Sequence, residues 1–137
     1  MKILLKYLVA ILILLATAVK ADVLAAITKV ESRNNPKAVG DHGRAYGLLQ
    51  IHRELVLDIN RIHHTRFTHL DAFDPIKAQQ MFSLYTSYYA SLYSRRTGRA
   101  VTNEVIARIW NGGPEWFKTK RATDQYWSKV KLALNHK

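Results

Sequence analysis

The chain has 137 residues, no cysteine and a formal net charge of +11. This length is typical of a single domain, and a domain of that size can bury an adequate core without disulfides. The absence of cysteine excludes disulfide bonds, cysteine-ligated zinc and a lipid-modified N-terminal cysteine. The excess of lysine and arginine favours polyanionic partners, either nucleic acid or an anionic cell envelope.

Residues 1–21 have the pattern of an export signal. Lys2 and Lys6 form a basic start, residues 7–19 are apolar and uncharged, and Ala21 lies where signal peptidase prefers a small residue. The apolar run approaches the shortest membrane span, so an uncleaved signal anchor is the alternative. We therefore predict a mature domain of residues 22–137, which carries 18 basic and 10 acidic residues and a net charge of +8.

The mature part begins with a predicted helix. Asp22 can cap it, and Val23 and Ile27 recur at helical spacing. Asn35 stops the helix because it precedes a proline, a position that avoids the α region. Glu31 is therefore predicted to lie in the last turn or two of this helix.

The next segments are less regular. Residues 36–46 contain glycine, proline and polar side chains, which predicts a loop or a very short β-hairpin. Residues 47–60 have apolar side chains along one helical face, which predicts a second helix. Residues 61–73 are polar and predicted to be irregular.

Three further helices are predicted in the second half. Asp74 followed by Pro75 is a strong start signal for a helix that runs to about Arg95. Thr102 can cap the next, which ends in the glycines at 112–113, and residues 123–134 form the last. Almost nothing is typical of a strand. The predicted fold class is mainly α, and α+β at most, with a minimal β-hairpin.

Three short motifs point to function through their order. Glu31–Ser32 ends the first helix, Gly47–Ile51 follows with the sequence Gly-Leu-Leu-Gln-Ile, and Trp110–Pro114 has the sequence Trp-Asn-Gly-Gly-Pro. With the Gly-Asp pair at 40–41, this order resembles the soluble lytic transglycosylase and goose-type lysozyme superfamily. Members of that superfamily carry a Glu-Ser pair, a Gly-Leu-Met-Gln block and a Tyr-Asn-Ala-Gly-Pro block. Residues 107–114, followed by Tyr126–Trp127, also resemble invertebrate-type lysozymes.

The resemblance covers residues 22 to about 130 and implies a lysozyme-like domain. Its implied activity is cleavage of the β-1,4 bond between N-acetylmuramic acid and N-acetylglucosamine in peptidoglycan. Such cleavage needs an acid that stays protonated near neutral pH, and we expect Glu31 to fill this role. Burial and the negative end of its helix are the two expected causes of a raised pKa.

Further site residues are implied by the same resemblance, each with a structural alternative. Ser32 would position the acid or contact substrate, Gln50 and Asn111 would bind the glycan through their amides, and Tyr46 would stack on a sugar. The remaining substrate-binding candidates are Gly47, Leu49 and Trp110. Two of the candidates depart from the family pattern. Trp110 replaces a tyrosine whose hydroxyl bonds the catalytic Glu, which puts that orienting role in doubt, and Leu49 replaces a methionine.

The mechanism depends on whether a second carboxylate takes part. Asp41 aligns with an acid of goose-type lysozymes and could activate water for an inverting hydrolysis, if its carboxyl lies ~6.5–9.5 Å from that of Glu31. A transglycosylase needs only one Glu, because the 6-hydroxyl of muramic acid closes a 1,6-anhydro ring. The structural alternative for Asp41 is a Gly-Asp turn, a position that Asp favours on its own account. We favour the transglycosylase, with the hydrolytic lysozyme as the alternative.

No metal or organic cofactor is expected, because His63, His64 and His69 have no cysteine and few acids near them. The expected partners are peptidoglycan glycan strands, with anionic envelope polymers as further candidates and no nucleic acid. We expect an exported monomer in the periplasm or outside the cell, with membrane contact only through an uncleaved anchor. A non-catalytic peptidoglycan-binding module and a basic nucleic-acid-binding protein are the rivals from other classes.

Overall fold

The computed structural model describes residue 6 and residues 22–136. The predicted signal or anchor at residues 1–21 lies outside these residues, apart from Lys6. In the part of the chain that is described, no helix has both the length and the apolar character needed to cross a bilayer.

The described chain folds into helices around a very small sheet. Helix α1 covers residues 22–32. The later helices are α2 (Arg53–His63), α3 (Pro75–Thr97), α4 (Asn103–Gly112) and α5 (Asp124–Asn135). The antiparallel strands β1 (Val39–Gly40), β2 (Ala45–Tyr46) and β3 (Ile51–His52) lie in the order β1-β2-β3. The prediction of a mainly α, lysozyme-like fold with a minimal β element is confirmed, and the hairpin gains a third short strand.

Local signals set the ends of the long helices as predicted. The carboxylate of Asp74 accepts hydrogen bonds from the backbone N–H groups of Ile76 and Lys77, and Pro75 occupies the first helical position. α3 ends at Gly98, whose φ of +68° closes the helix in the left-handed region. α4 begins where the hydroxyl of Thr102 accepts from the N–H of Val105.

The predicted helix over residues 47–60 is wrong for residues 47–52. Gly47 and Gln50 have φ values of +74° and +49°, which an α-helix does not allow. Residues 47–50 therefore form a turn that leads into β3, and α2 begins only at Arg53. The segment 61–73 is also more regular than predicted, because α2 continues to His63 and His69–Phe73 forms a 3-10 helix.

The core joins most of these elements. Ile27, Leu49, Ile59, Met81 and Ile109 are each fully buried, and they come from α1, the turn after β2, α2, α3 and α4. Burying each such side chain contributes roughly 1.5–3 kcal/mol. The core therefore fixes the end of α1 against α4, which sets the position of Glu31.

A buried cation fixes α5 against α4. The guanidinium of Arg108 binds Glu104 and Asp124, each at 2.8 Å, and donates to the Thr123 hydroxyl at 2.7 Å. Arg108 is only 3% exposed, so these partners compensate a charge removed from water. Asp124 is the first residue of α5, so the network fixes the start of that helix and the position of Tyr126 two residues later.

Candidate active site

Glu31 lies in a cleft of about 760 Å³ between the sheet, α2 and α4. The cleft brings together four of the predicted site residues besides Glu31, namely Asp41, Gln50, Trp110 and Asn111. They come from α1, the β1–β2 connection, the turn before β3 and the end of α4. Burial raises the pKa of the Glu31 carboxyl from 4.5 to about 7, and hydrogen bonds from Tyr126 and Trp110 act in the opposite direction. A carboxyl with this pKa can exchange a proton near neutral pH.

Tyr126 is the site residue that the sequence did not reveal. Its hydroxyl donates a hydrogen bond of 2.7 Å to Oε1 of Glu31. Desolvation by burial, followed by the nearby Glu31 charge and this hydrogen bond, raises the pKa of Tyr126, which keeps it a proton donor. In the sequence, Tyr126 stands out only as part of the Tyr126–Trp127 pair that resembles invertebrate-type lysozymes. That resemblance assigns it no role.

Trp110 supplies the second hydrogen bond to Glu31, through its indole N–H. The ring is 8% exposed and packs on two aromatic side chains of α3, with ring centroids 5.0 Å from Phe82 and 6.0 Å from Tyr85. These contacts restrict the indole to one orientation. Glu31 therefore accepts one hydrogen bond from a tyrosine hydroxyl on α5 and one from the indole of Trp110. Trp110 occupies the position at which the family pattern has a tyrosine.

Asp41 faces the same cleft from its exposed rim. Its carboxylate forms an ion pair with Arg44 at 2.9 Å, and His52 Nε2 lies 3.4 Å from its other oxygen. About 40% of the side chain is exposed. Both oxygens therefore already have partners, and the surrounding solvent screens the charge.

The side chain of Gln50 connects two backbone segments beside the cleft through hydrogen bonds. Its side-chain amide donates to the carbonyl oxygens of Gly47 at 2.9 Å and Ala38 at 3.4 Å. The amide oxygen packs against Gly40 so closely that a Cβ there would lie 2.1 Å from it. Asn111 is exposed and free to reach a ligand.

The other predicted site residues do not line the cleft. Ser32 donates from its hydroxyl to the Leu48 carbonyl at 2.8 Å, which ties the end of α1 to the turn before β3. Leu49 is fully buried in the core. Tyr46 is stacked between the rings of His69 and Phe73, with centroid distances of 3.9 and 4.7 Å.

Gly47 has a packing role that its place in the motif did not specify. Its φ is +74°, and a Cβ at this position would lie 1.9 Å from the Ala72 carbonyl oxygen. Its N–H donates to the Ala38 carbonyl at 2.9 Å. Only glycine allows the turn to approach the 3-10 helix His69–Phe73 this closely.

Several residues that line the cleft were absent from the predicted site, among them two from the long helices. Asp58 of α2 and Tyr85 of α3 both line the cleft, and Tyr89 donates a short hydrogen bond to Asp58. Burial raises the pKa of Tyr85 to about 12. In sequence these residues were indistinguishable from other members of a helical face.

Within residues 22–136, no three His, Asp or Glu side chains are close enough to bind a metal ion.

The sequence profile of the transglycosylase SLT domain matches residues 11–125. The chain belongs to the transglycosylase SLT domain family. No curated protein matches the chain significantly. The profile match confirms the resemblance drawn from the three motifs, although it begins within the segment predicted as the export signal.

Membership of the SLT family gives the general activity, which is cleavage of peptidoglycan by a transglycosylase. In this SLT domain the motifs converge as the sequence order suggested, because Glu31, Gln50 and Asn111 line one cleft. Among the residues that line the cleft, the carboxyl of Glu31 has its pKa raised by burial.

Proposed function

We propose that this protein is a lytic transglycosylase in which Glu31 acts as both general acid and general base. It cleaves the β-1,4 bond between N-acetylmuramic acid and N-acetylglucosamine and leaves a 1,6-anhydro end on the muramic acid. The observation that carries the proposal is the largely buried Glu31 carboxyl, whose pKa of about 7 suits proton transfer in both directions.

The proton balance needs only this one carboxyl. Protonated Glu31 gives its proton to the glycosidic oxygen as the bond to C1 of muramic acid breaks. The resulting carboxylate then takes the proton from the 6-hydroxyl of the same muramic acid, whose oxygen bonds to C1. The acid is regenerated and no water enters. Tyr126 and Trp110 orient the carboxyl through both steps.

A hydrolytic lysozyme that uses Asp41 as the base is the second candidate. Asp41 does face the cleft, which favours it. Its carboxylate forms an ion pair with Arg44 and lies close to His52, so a water molecule that Asp41 activates would have to displace or share these partners. This arrangement supports the transglycosylase over the lysozyme.

We also propose that the protein acts outside the cytoplasm, in the periplasm or beyond, either free or through an uncleaved anchor. The apolar and basic pattern of residues 1–21 supports export, and peptidoglycan lies outside the cytoplasmic membrane. A protein that binds peptidoglycan without cleaving it would share the cleft but would have no need of a carboxyl with a raised pKa.

The test is mass spectrometry of the fragments that the full chain releases from purified peptidoglycan. Glu31→Gln removes the acid, and Glu54→Gln, an exposed carboxyl lining the same cleft, is the matched control. We expect anhydro-muramyl ends from the wild type and the control, and none from Glu31→Gln. Hydrated reducing ends would instead establish the lysozyme. Equal release by Glu31→Gln and the wild type would rule out Glu31 as the acid.

A further inference from the structure

A second cleft of about 690 Å³ lies at the opposite end of α4 from Trp110 and Asn111. It is formed by the end of α3, the loop 98–102, the first turn of α4 and the 3-10 helix Trp116–Lys118. It shares no lining residue with the Glu31 cleft. A cavity of this size is within the range of ligand sites.

Three aromatic rings cluster along this cleft. Trp116 lies 5.6 Å from Tyr93 and 6.2 Å from Phe117 between ring centroids. Trp116 is only 5% exposed, and its indole nitrogen finds no hydrogen-bond partner within residues 22–136. That nitrogen is itself buried, so a ligand in the cleft does not reach it, and the half-buried Phe117 is the ring of the three that a ligand can contact.

The cleft is also positively charged. Arg99 and Lys120 line it, and the guanidinium of Arg99 has no ion-pair partner among the described residues. The acid that lines the cleft, Glu104, is engaged by the buried Arg108 at 2.8 Å, and Lys120 approaches it only to 3.9 Å. The cations are therefore available to an anion entering the cleft.

We propose that this second cleft binds an anionic saccharide, with a sugar ring against Phe117 and a carboxylate or phosphate at Arg99 and Lys120. Aromatic faces suit the apolar faces of sugars, and guanidinium and ammonium groups suit the anion. In a bacterial wall this chemistry occurs where stem-peptide carboxylates adjoin the glycan and in phosphate-bearing polymers. The cleft holds the protein on the wall independently of cleavage by Glu31.

The test is co-sedimentation of the full chain with purified wall sacculi over a salt series, in a Glu31→Gln background that prevents digestion. Arg99→Gln combined with Lys120→Gln should weaken binding about tenfold, as expected for loss of hydrogen bonds to a charged group. Lys129→Gln combined with Lys131→Gln removes the same charge from exposed positions of α5 and should leave binding within about twofold. An equal loss in both pairs would overturn the proposal, because overall charge would then explain the binding.

A second variant tests the aromatic part without changing charge. Phe117→Leu keeps an apolar side chain but removes the ring, and we expect several-fold weaker binding from a protein whose circular dichroism is unchanged. Unchanged binding by both Phe117→Leu and the Arg99 and Lys120 pair would exclude the cleft. Sacculi stripped of phosphate polymers with hydrofluoric acid separate the two sources of the anion, since retained binding assigns it to stem-peptide carboxylates. Fragment release by wild-type Glu31 is measured separately, so the two proposals can fail independently.

Discussion

The hydroxyl of Tyr126 donates a hydrogen bond of 2.7 Å to the carboxyl of Glu31, across 95 positions of the chain. The bond joins the last turn of α1 to the first turn of α5. It stabilises the ionised form of Glu31 and opposes the effect of burial on its pKa. The Arg108 network that fixes the start of α5 therefore also affects the carboxyl that we propose as the acid.

Tyr126→Phe should lower activity and move its pH dependence. Loss of the hydrogen bond raises the pKa of Glu31 further, so the alkaline limb of the pH–rate profile should shift upward. Activity at the optimum should fall about tenfold, because the carboxyl loses an orienting contact. Fragment release measured from pH 5 to 9 tests this. Tyr88→Phe, on α3 outside the cleft lining, is the control, and an unshifted limb in Tyr126→Phe would contradict the role.

At alkaline pH, the Glu31→Gln variant should be more stable than the wild type. The folded state keeps the Glu31 proton up to about pH 7, whereas the unfolded chain releases it near pH 4.5. Stability is therefore lost as pH rises from 4.5 through 7, by up to about 3 kcal/mol. Urea unfolding at pH 5 and pH 8 should show this difference in the wild type and a smaller one in Glu31→Gln. Identical pH dependence in both proteins would mean that Glu31 is not strongly desolvated.

Gly47→Ala should destabilise the fold far more than Gly98→Ala. Both glycines have positive φ, so each alanine carries a cost of about 1 kcal/mol from the left-handed backbone. At Gly98 the added Cβ meets open space, whereas at Gly47 it overlaps the Ala72 carbonyl oxygen. We expect Gly47→Ala to lower the free energy of unfolding by about 3 kcal/mol or more. Thermal unfolding of the two variants measures the difference, and equal melting temperatures would argue against the close approach.

Arg108→Met should lower the free energy of unfolding by about 2–3 kcal/mol and should also reduce activity. The change keeps the side-chain volume but leaves Glu104 and Asp124 without their shared cation. Because both acids are partly exposed, water offsets part of the loss. Arg96→Met breaks an exposed pair with Glu115 and should cost less than about 1 kcal/mol. Urea unfolding compares the two, and an Arg108→Met protein as stable as Arg96→Met would show that the network is not needed.

Asp41→Asn should keep most of the activity and the anhydro product. The proposed mechanism needs no second base, and Asp41 already holds Arg44 at the exposed rim of the cleft. A modest loss, within about tenfold, is expected if the rim shifts. Mass spectrometry of the released fragments decides the outcome, because a loss of 10²-fold or more would mark Asp41 as a base and favour hydrolysis.

Some features of the fold could be predicted because their causes are local. The Asp74–Pro75 start of α3 and the Thr102 cap of α4 depend on atoms within three residues of one another. The turn at residues 47–50 was predicted as helix because its apolar spacing fits a helical face. The positive φ values of Gly47 and Gln50 are maintained by contacts with Ala38 and Gly40 earlier in the chain, which no short window contains.

The sequence by itself determined the helical class, the order of the three motifs and Glu31 as the candidate acid. The tertiary structure decided the partner of that acid, because Tyr126 reaches Glu31 only when α5 packs beside α1 and α4. It also decided the pKa of Glu31, since desolvation depends on the assembled surroundings of the carboxyl. Helix periodicity and capping act over a few residues, whereas burial and long-range hydrogen bonds exist only once distant segments have packed together.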